Sequence, residues 1–215
     1  MSENTLPAAG LRIGHVRGVT LTKWRRIWDE RFRDPLVVEE VPDAEQLDGL
    51  RDNSLDMCFV RLPIYREGLH AIPLYDEQMV VWTSKEHLFA AADEVSMADL
   101  ASEETVLNEL DDTALDRVLA GVAVLVVPMS IARGASRRDL VYRPVTDADP
   151  SPIALAWRQG DENPMLEEFV GVVRGRSADS SRTQQERAAS GSKPAPARPR
   201  SRDKRNQPRK PRRGH

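Results

Sequence analysis

The apolar positions of this chain fall into short blocks, and the spacing within each block predicts an element. Leu11 to Val16 and Leu36 to Val41 are brief runs that read as strands. Between them, Leu21, Trp24, Trp28 and Phe32 recur at three- and four-residue spacing. That is one face of a helix running to about Phe32, with Thr20 or Thr22 as its N-cap and Lys23, Arg25 and Arg26 projecting elsewhere. Asp43 to Leu50 reads as a short helix after Pro42. Leu55 to Val60 is apolar except for Asp56 and stops at Arg61 and Pro63, the pattern of a strand buried on both faces. Strand, helix, strand, helix, strand predicts a parallel α/β sheet with right-handed connections. Ligands of such sheets bind beyond the carboxyl ends of the strands.

Leu69 to Leu74 and Gln78 to Trp82 are two further extended runs, separated by a predicted turn at Tyr75, Asp76 and Glu77. Short helices are expected at Ser84 to Ala91 and Ser96 to Ala101, and a strand at Thr105 to Leu110. Asp111 to Ala120 has acids at its start and Gly121 just past its end, as a helix should. Val122 to Val127 is an unbroken apolar run ending at Pro128, expected as a buried strand of a second lobe. A helical turn at Ser130 to Ala132 follows, then Leu140 to Val145 leading back toward the first lobe and Ile153 to Trp157 rejoining its sheet. Asn163 and Pro164 open a last helix, whose Met165, Leu166, Phe169, Val170 and Val173 form an apolar face.

The block GLHAIPLYDEQMVVWTSKEHLFAAADEVSMADLAS resembles the effector-binding domain of LysR-type transcriptional regulators, and the likeness continues through LAGVAVLVVPMSIAR and LVYRPVTDADPSPIALAW. The resemblance implies an α/β fold of two lobes, similar to type II periplasmic binding proteins. The first lobe would take residues 11–77 and 146–176, and the second residues 84–140. Between Leu100 and Leu119 there is room for one strand and one helix where the family has a further unit, so a shortened second lobe is expected. Only ten residues precede Leu11, so the family's winged helix-turn-helix is expected to be lacking.

Composition alters this picture at one end. Of 31 Lys and Arg residues, twelve lie from Ser177 onward, against three acids there, so a net charge of −3 hides an acidic body and a basic tail. That tail has no apolar periodicity and several prolines, and is expected to be disordered, as are residues 1–10. Its Arg198, Arg200, Arg202, Lys204, Arg205, Arg209, Lys210, Arg212 and Arg213 could neutralise phosphates without sequence preference. No aromatic residue there offers base stacking. The single Cys58 excludes an internal disulfide and a thiolate zinc cluster. No apolar run approaches the roughly 20 residues that span a bilayer, so a cytoplasmic protein without membrane contact is expected.

The sequence contains no GxxxxGK[ST], GxGxxG or GxSxG motif and no HExxH spacing, so no enzyme, cofactor or metal is expected. His15, His70 and His87 read as structural or exposed, and Cys58 as core. The resemblance places a small organic anion at the loop after the first strand and the following helix N-terminus. Candidate contacts are Gly18, Val19 and Thr20 there, Arg61, Leu62 and Pro63 after the third strand, and Met129 and Ser130 after Val127. Backbone N–H groups at a helix start suit a carboxylate, and Arg61 could add a charge-assisted bond; the plainer alternative is that Thr20 only caps and Arg61 is a solvated charge. The expected function is therefore a non-enzymatic LysR-type substrate-binding protein in transcription regulation. Its rivals are nucleic-acid binding through the tail, or an interaction module forming mixed dimers with a LysR-type regulator; homodimerisation is a further possibility.

Overall fold

The computed structural model describes residues 10–103 and 105–175, and residues 1–9 and the basic tail, with the expectations that fall on them, lie outside this set. Two sheets organise the described chain. The first contains β1 (Leu11–Val16), β2 (Leu36–Val41), β3 (Met57–Arg61), β4 (Leu69–Glu77) and β9 (Ser151–Arg158) in the order β2-β1-β3-β9-β4. β1 pairs in parallel with β2 and β3, as the strand-helix alternation predicts. β9 lies antiparallel between β3 and β4, so the sheet is mixed rather than parallel.

Residues Met57 to Val60 are all buried because both faces of β3 are covered. Met57 and Phe59 join one cluster with Trp28 of α1 (Thr22–Arg31) and Phe169 of α6 (Pro164–Val173). Cys58 and Val60 join another, under Leu50 of α2 (Asp48–Arg51). Trp24 stacks on Phe59 with ring centroids 4.8 Å apart, and Trp28 donates its indole N–H to the Asp34 carbonyl at 2.7 Å. Burying two large aromatic bodies of α1 against the sheet fixes that helix beside β1 and β2. Asn163 caps α6 through its side chain, with Pro164 at the first helical position.

The second sheet has the order β6-β7-β5-β8, formed by β5 (Met79–Ser84), β6 (Val106–Leu107), β7 (Val124–Pro128) and β8 (Leu140–Pro144). Leu115 and Val118 of α4 (Asp112–Leu119) and Ile131 of α5 (Met129–Gly134) cover one face. Phe89, in a 3-10 turn at Leu88–Ala91, and Leu100 of α3 (Met97–Leu100) cover the other. Ser96 and Asp99 form a reciprocal capping box on α3, and Gly121, with φ +72, ends α4 in the left-handed region.

Several elements differ from the sequence-based expectation. β4 continues to Glu77 with a slip in register between Pro73 and Tyr75, where proline has no N–H for the ladder. The chain changes direction at Gln78 instead, passing from one sheet to the other. Leu140–Pro144 pairs with β5 in the second sheet before the chain passes to β9 in the first. The helices expected at Asp43 to Leu50 and Ser84 to Ala91 shrink to short turns, and the strand expected at Thr105 to Leu110 shrinks to Val106–Leu107. Neither Thr20 nor Thr22 caps α1: Leu21 is the N-cap residue, with no side-chain cap bond.

Thr83 on β5 is fully buried, and its Oγ1 has no hydrogen-bond partner among the described residues. An unpaired buried hydroxyl costs folding free energy that an isosteric methyl does not. Thr83→Val is therefore expected to raise stability by about 1 kcal/mol, read as a higher urea midpoint at unchanged slope. A fall in the midpoint would show that the hydroxyl is satisfied in solution.

Candidate functional site

The carboxyl ends of β1 and β7 meet where the two sheets join. A cavity of about 1300 Å³ lies there, lined from the first lobe by the β1–α1 loop, α1 and β2, and from the second by Leu110 and α5. Val19, Leu21, Val38, Leu110 and Ile131 supply apolar wall, and His15, Arg17, Arg25 and Arg133 supply polar groups. Such a mixture, mostly pre-formed and between lobes, is what a small-molecule site requires.

Gly18 makes the close approach of the lobes possible. Its φ of +92 suits a residue without Cβ, and a methyl added there would overlap Ser130 Oγ and lie 3.1 Å from Ser130 Cβ and 3.2 Å from Ile131 Cγ1. The Ser130 hydroxyl is itself buried without a partner among the described residues. The hydroxyl lies against Gly18, and its donor is spent on no other described group. Arg17 adds a second link between lobes, donating to the Leu110 carbonyl at 3.2 Å while it pairs with Glu40 at 3.5 Å.

Of the sequence-predicted contacts, Gly18, Val19, Thr20 and Ser130 line this cavity together. Val19 is buried and belongs to the first core cluster, and Thr20 is exposed. Arg61, Leu62, Pro63 and Met129 do not line it. Leu62 packs on the cluster beneath α2, Pro63 follows a cis peptide bond and is exposed, and Met129 packs on the second-sheet core.

Arg61 occupies the hinge. Its Nη1 donates to Glu77 Oε2 and Ser151 Oγ, both at 2.7 Å, its Nε to Asp43 at 3.1 Å, and its Nη2 to the Arg17 carbonyl at 3.0 Å. Four of its five donors are thereby used. Glu77 ends β4 just before the first crossing between lobes, and Ser151 opens β9 just after the return. The guanidinium therefore ties both crossings to the β1–α1 loop. Burial, reinforced by the Glu77 carboxylate, pushes the Tyr75 phenol up to about 12.

Cys58 is buried in β3, and burial pushes its thiol up to about 12, so no thiolate is available near neutral pH. No group of metal-ligating side chains occurs among the described residues, and none of their helices is long and apolar enough to cross a membrane. Sequence reasoning missed Arg17, Arg25 and Arg133. The only signal for Arg25 was its position one helical turn after Leu21, which becomes informative once α5 is known to lie opposite.

Comparison with known proteins agrees with this architecture. Residues 35–116 match the family model described as the LysR substrate binding domain. The chain is 25% identical over 169 residues to the HTH-type transcriptional regulator CatR of Pseudomonas putida, covering 64% of this chain and 57% of that protein. It is 23% identical over 181 residues to the Hca operon transcriptional activator HcaR of Escherichia coli K12, covering 69% and 61%. The chain thus spans roughly three fifths of the length of these curated relatives. An OxyR regulatory-domain mutant from Pseudomonas aeruginosa superposes with a TM-score of 0.63 at 23% identity, over 78% of this chain and 97% of that one. The effector binding domain of a BenM variant does so with a TM-score of 0.64 at 20% identity, over 77% and 93%. These likenesses establish the fold, that of the two-lobed, periplasmic-binding-protein-like effector domains.

Proposed function

We propose that this chain is a LysR-type substrate-binding domain that binds a small organic anion between its lobes and serves in transcription regulation. The observation that carries the reading is the cavity at the meeting of the lobes, with Gly18, Val19 and Thr20 on one wall and the unpartnered Ser130 hydroxyl on the other. Its cationic groups are Arg17, Arg25, Arg26 and Arg133, against the acids Asp29, Glu30 and Glu40, so the wall favours an anion. Arg61 stays in the hinge and supports the site through the Arg17 backbone. The reading is non-enzymatic: the site presents binding groups, and the buried Cys58 offers no nucleophile. A cytoplasmic location follows from this role.

The test is thermal unfolding of the full chain against small mono- and dicarboxylates. A ligand at about ten times its dissociation constant adds roughly 1.4 kcal/mol, a saturable rise in midpoint. The rise is expected to shrink in Arg133→Gln and Ser130→Ala. No saturable rise with any carboxylate would contradict the reading.

The twelve basic residues from Ser177 onward favour a second, compatible reading, in which that segment contacts nucleic acid. Arg198, Arg200, Arg202, Lys204, Arg205, Arg209, Lys210, Arg212 and Arg213 lie outside the described residues and would act through charge alone. Association with a second copy or with a LysR-type regulator is a further proposal for this domain.

A further inference from the structure

The charges around the cavity do not all remain open to a ligand. Arg17 is engaged with Glu40 at 3.5 Å, and Arg26 with Glu30 at 3.3 Å on α1. Three charged side chains of the wall are left: Arg25 and Asp29 on α1, and Arg133 on α5, whose Nε donates to the Tyr142 hydroxyl at 3.3 Å. Arg25 and Asp29 stand one helical turn apart and make no ion pair with each other or with any other described residue. Removing the internal pairs leaves two cations against one acid, a surplus of a single positive charge. Such a wall repels a dianion at Asp29 and accepts one carboxylate at the arginines.

We infer that the cavity takes an amphoteric ligand: one carboxylate held by Arg25 and Arg133, a hydrogen-bond donor or amine directed to Asp29, and a short apolar body between them against Val19, Val38 and Ile131. Arg133 belongs to α5, on the wall facing α1 and Asp29, so the carboxylate and the donor sit at opposite ends of the ligand rather than on adjacent atoms. Asp29 is then the specificity determinant, since it rewards a donor and penalises a second carboxylate at the same position. This rests on the reading of the cavity as an effector site.

Isothermal titration of the full chain with benzoate, 4-aminobenzoate and terephthalate tests it. The expected order is 4-aminobenzoate about tenfold tighter than benzoate, through one hydrogen bond to a charged group, with terephthalate weakest. In Asp29→Ala the order of the three acids is lost, the advantage of the amine and the penalty of the second carboxylate disappearing together, and Arg25→Gln weakens all three. Both side chains are exposed, so neither change disturbs the core. Equal binding of benzoate and 4-aminobenzoate, or terephthalate binding tightest, would overturn the inference and leave the effector reading standing. Failure of all three to bind would overturn the inference, while the effector reading is decided by the wider carboxylate series.

Discussion

Arg61→Ala is expected to destabilise the fold by about 3–5 kcal/mol, the cost of removing one partner from a buried ion pair. Glu77 is 8% exposed, and its carboxylate is held by Arg61 Nη1 at 2.7 Å. Without the guanidinium that charge stays in the hinge with its compensating cation gone, and Ser151 Oγ and the Arg17 carbonyl each lose a donor. Arg61→Lys keeps a positive charge but cannot reach Asp43, Glu77, Ser151 and Arg17 at once, so an intermediate loss is expected. Glu77→Gln should cost less than either, because Arg61 keeps its other partners. Urea unfolding of the three variants checks this order. An Arg61→Ala loss below about 1 kcal/mol, the range of a surface pair, would show that the hinge is solvated and that the guanidinium does not brace it.

Arg61 also marks where sequence reasoning reaches its limit. Its position at the end of an apolar strand was legible, and from position alone a ligand contact was a fair expectation. Its actual partners lie 16 to 90 residues away and come from four different segments, so nothing local reveals that its donors are used. By contrast, β1, β2 and α6 follow from local rules: short apolar runs in the two strands, with three valines in β2, and Asn163 with Pro164 opening the helix. The buried run at Met57 to Val60 was legible because only two covered faces tolerate unbroken apolar sequence. β8 was read only as a segment leading back toward the first lobe, and its pairing with β5 joins residues some sixty apart in sequence, which no local pattern reveals.

The cavity was half legible for the same reason. Gly18, Val19, Thr20 and Ser130 could be nominated from strand ends, whereas Arg25 and Arg133 became neighbours of the site through the approach of α5 to the β1–α1 loop.

That approach is the basis of the second large effect. Gly18→Ala is expected to cost about 3 kcal/mol. Roughly 1–2 kcal/mol comes from placing a Cβ at positive φ and the rest from overpacking against Ser130 and Ile131. The added methyl would overlap Ser130 Oγ, so part of the cost is specific to that side chain. Combining Gly18→Ala with Ser130→Gly should recover part of it, with a coupling of at least about 0.5 kcal/mol in the double-mutant cycle. The backbone strain is not recoverable in this way, so the double variant stays below the parent. Strictly additive losses would mean that the loop and α5 do not meet in solution as they do in the structure.

The central claim is that one ligand touches both lobes at once. Its most direct test is a backbone-amide NMR titration of the full chain with benzoate. The account predicts that amides from Gly18 to Thr22 and from Ser130 to Ala135 shift together along a single saturation curve. Shifts confined to one lobe or absent from both segments would contradict it.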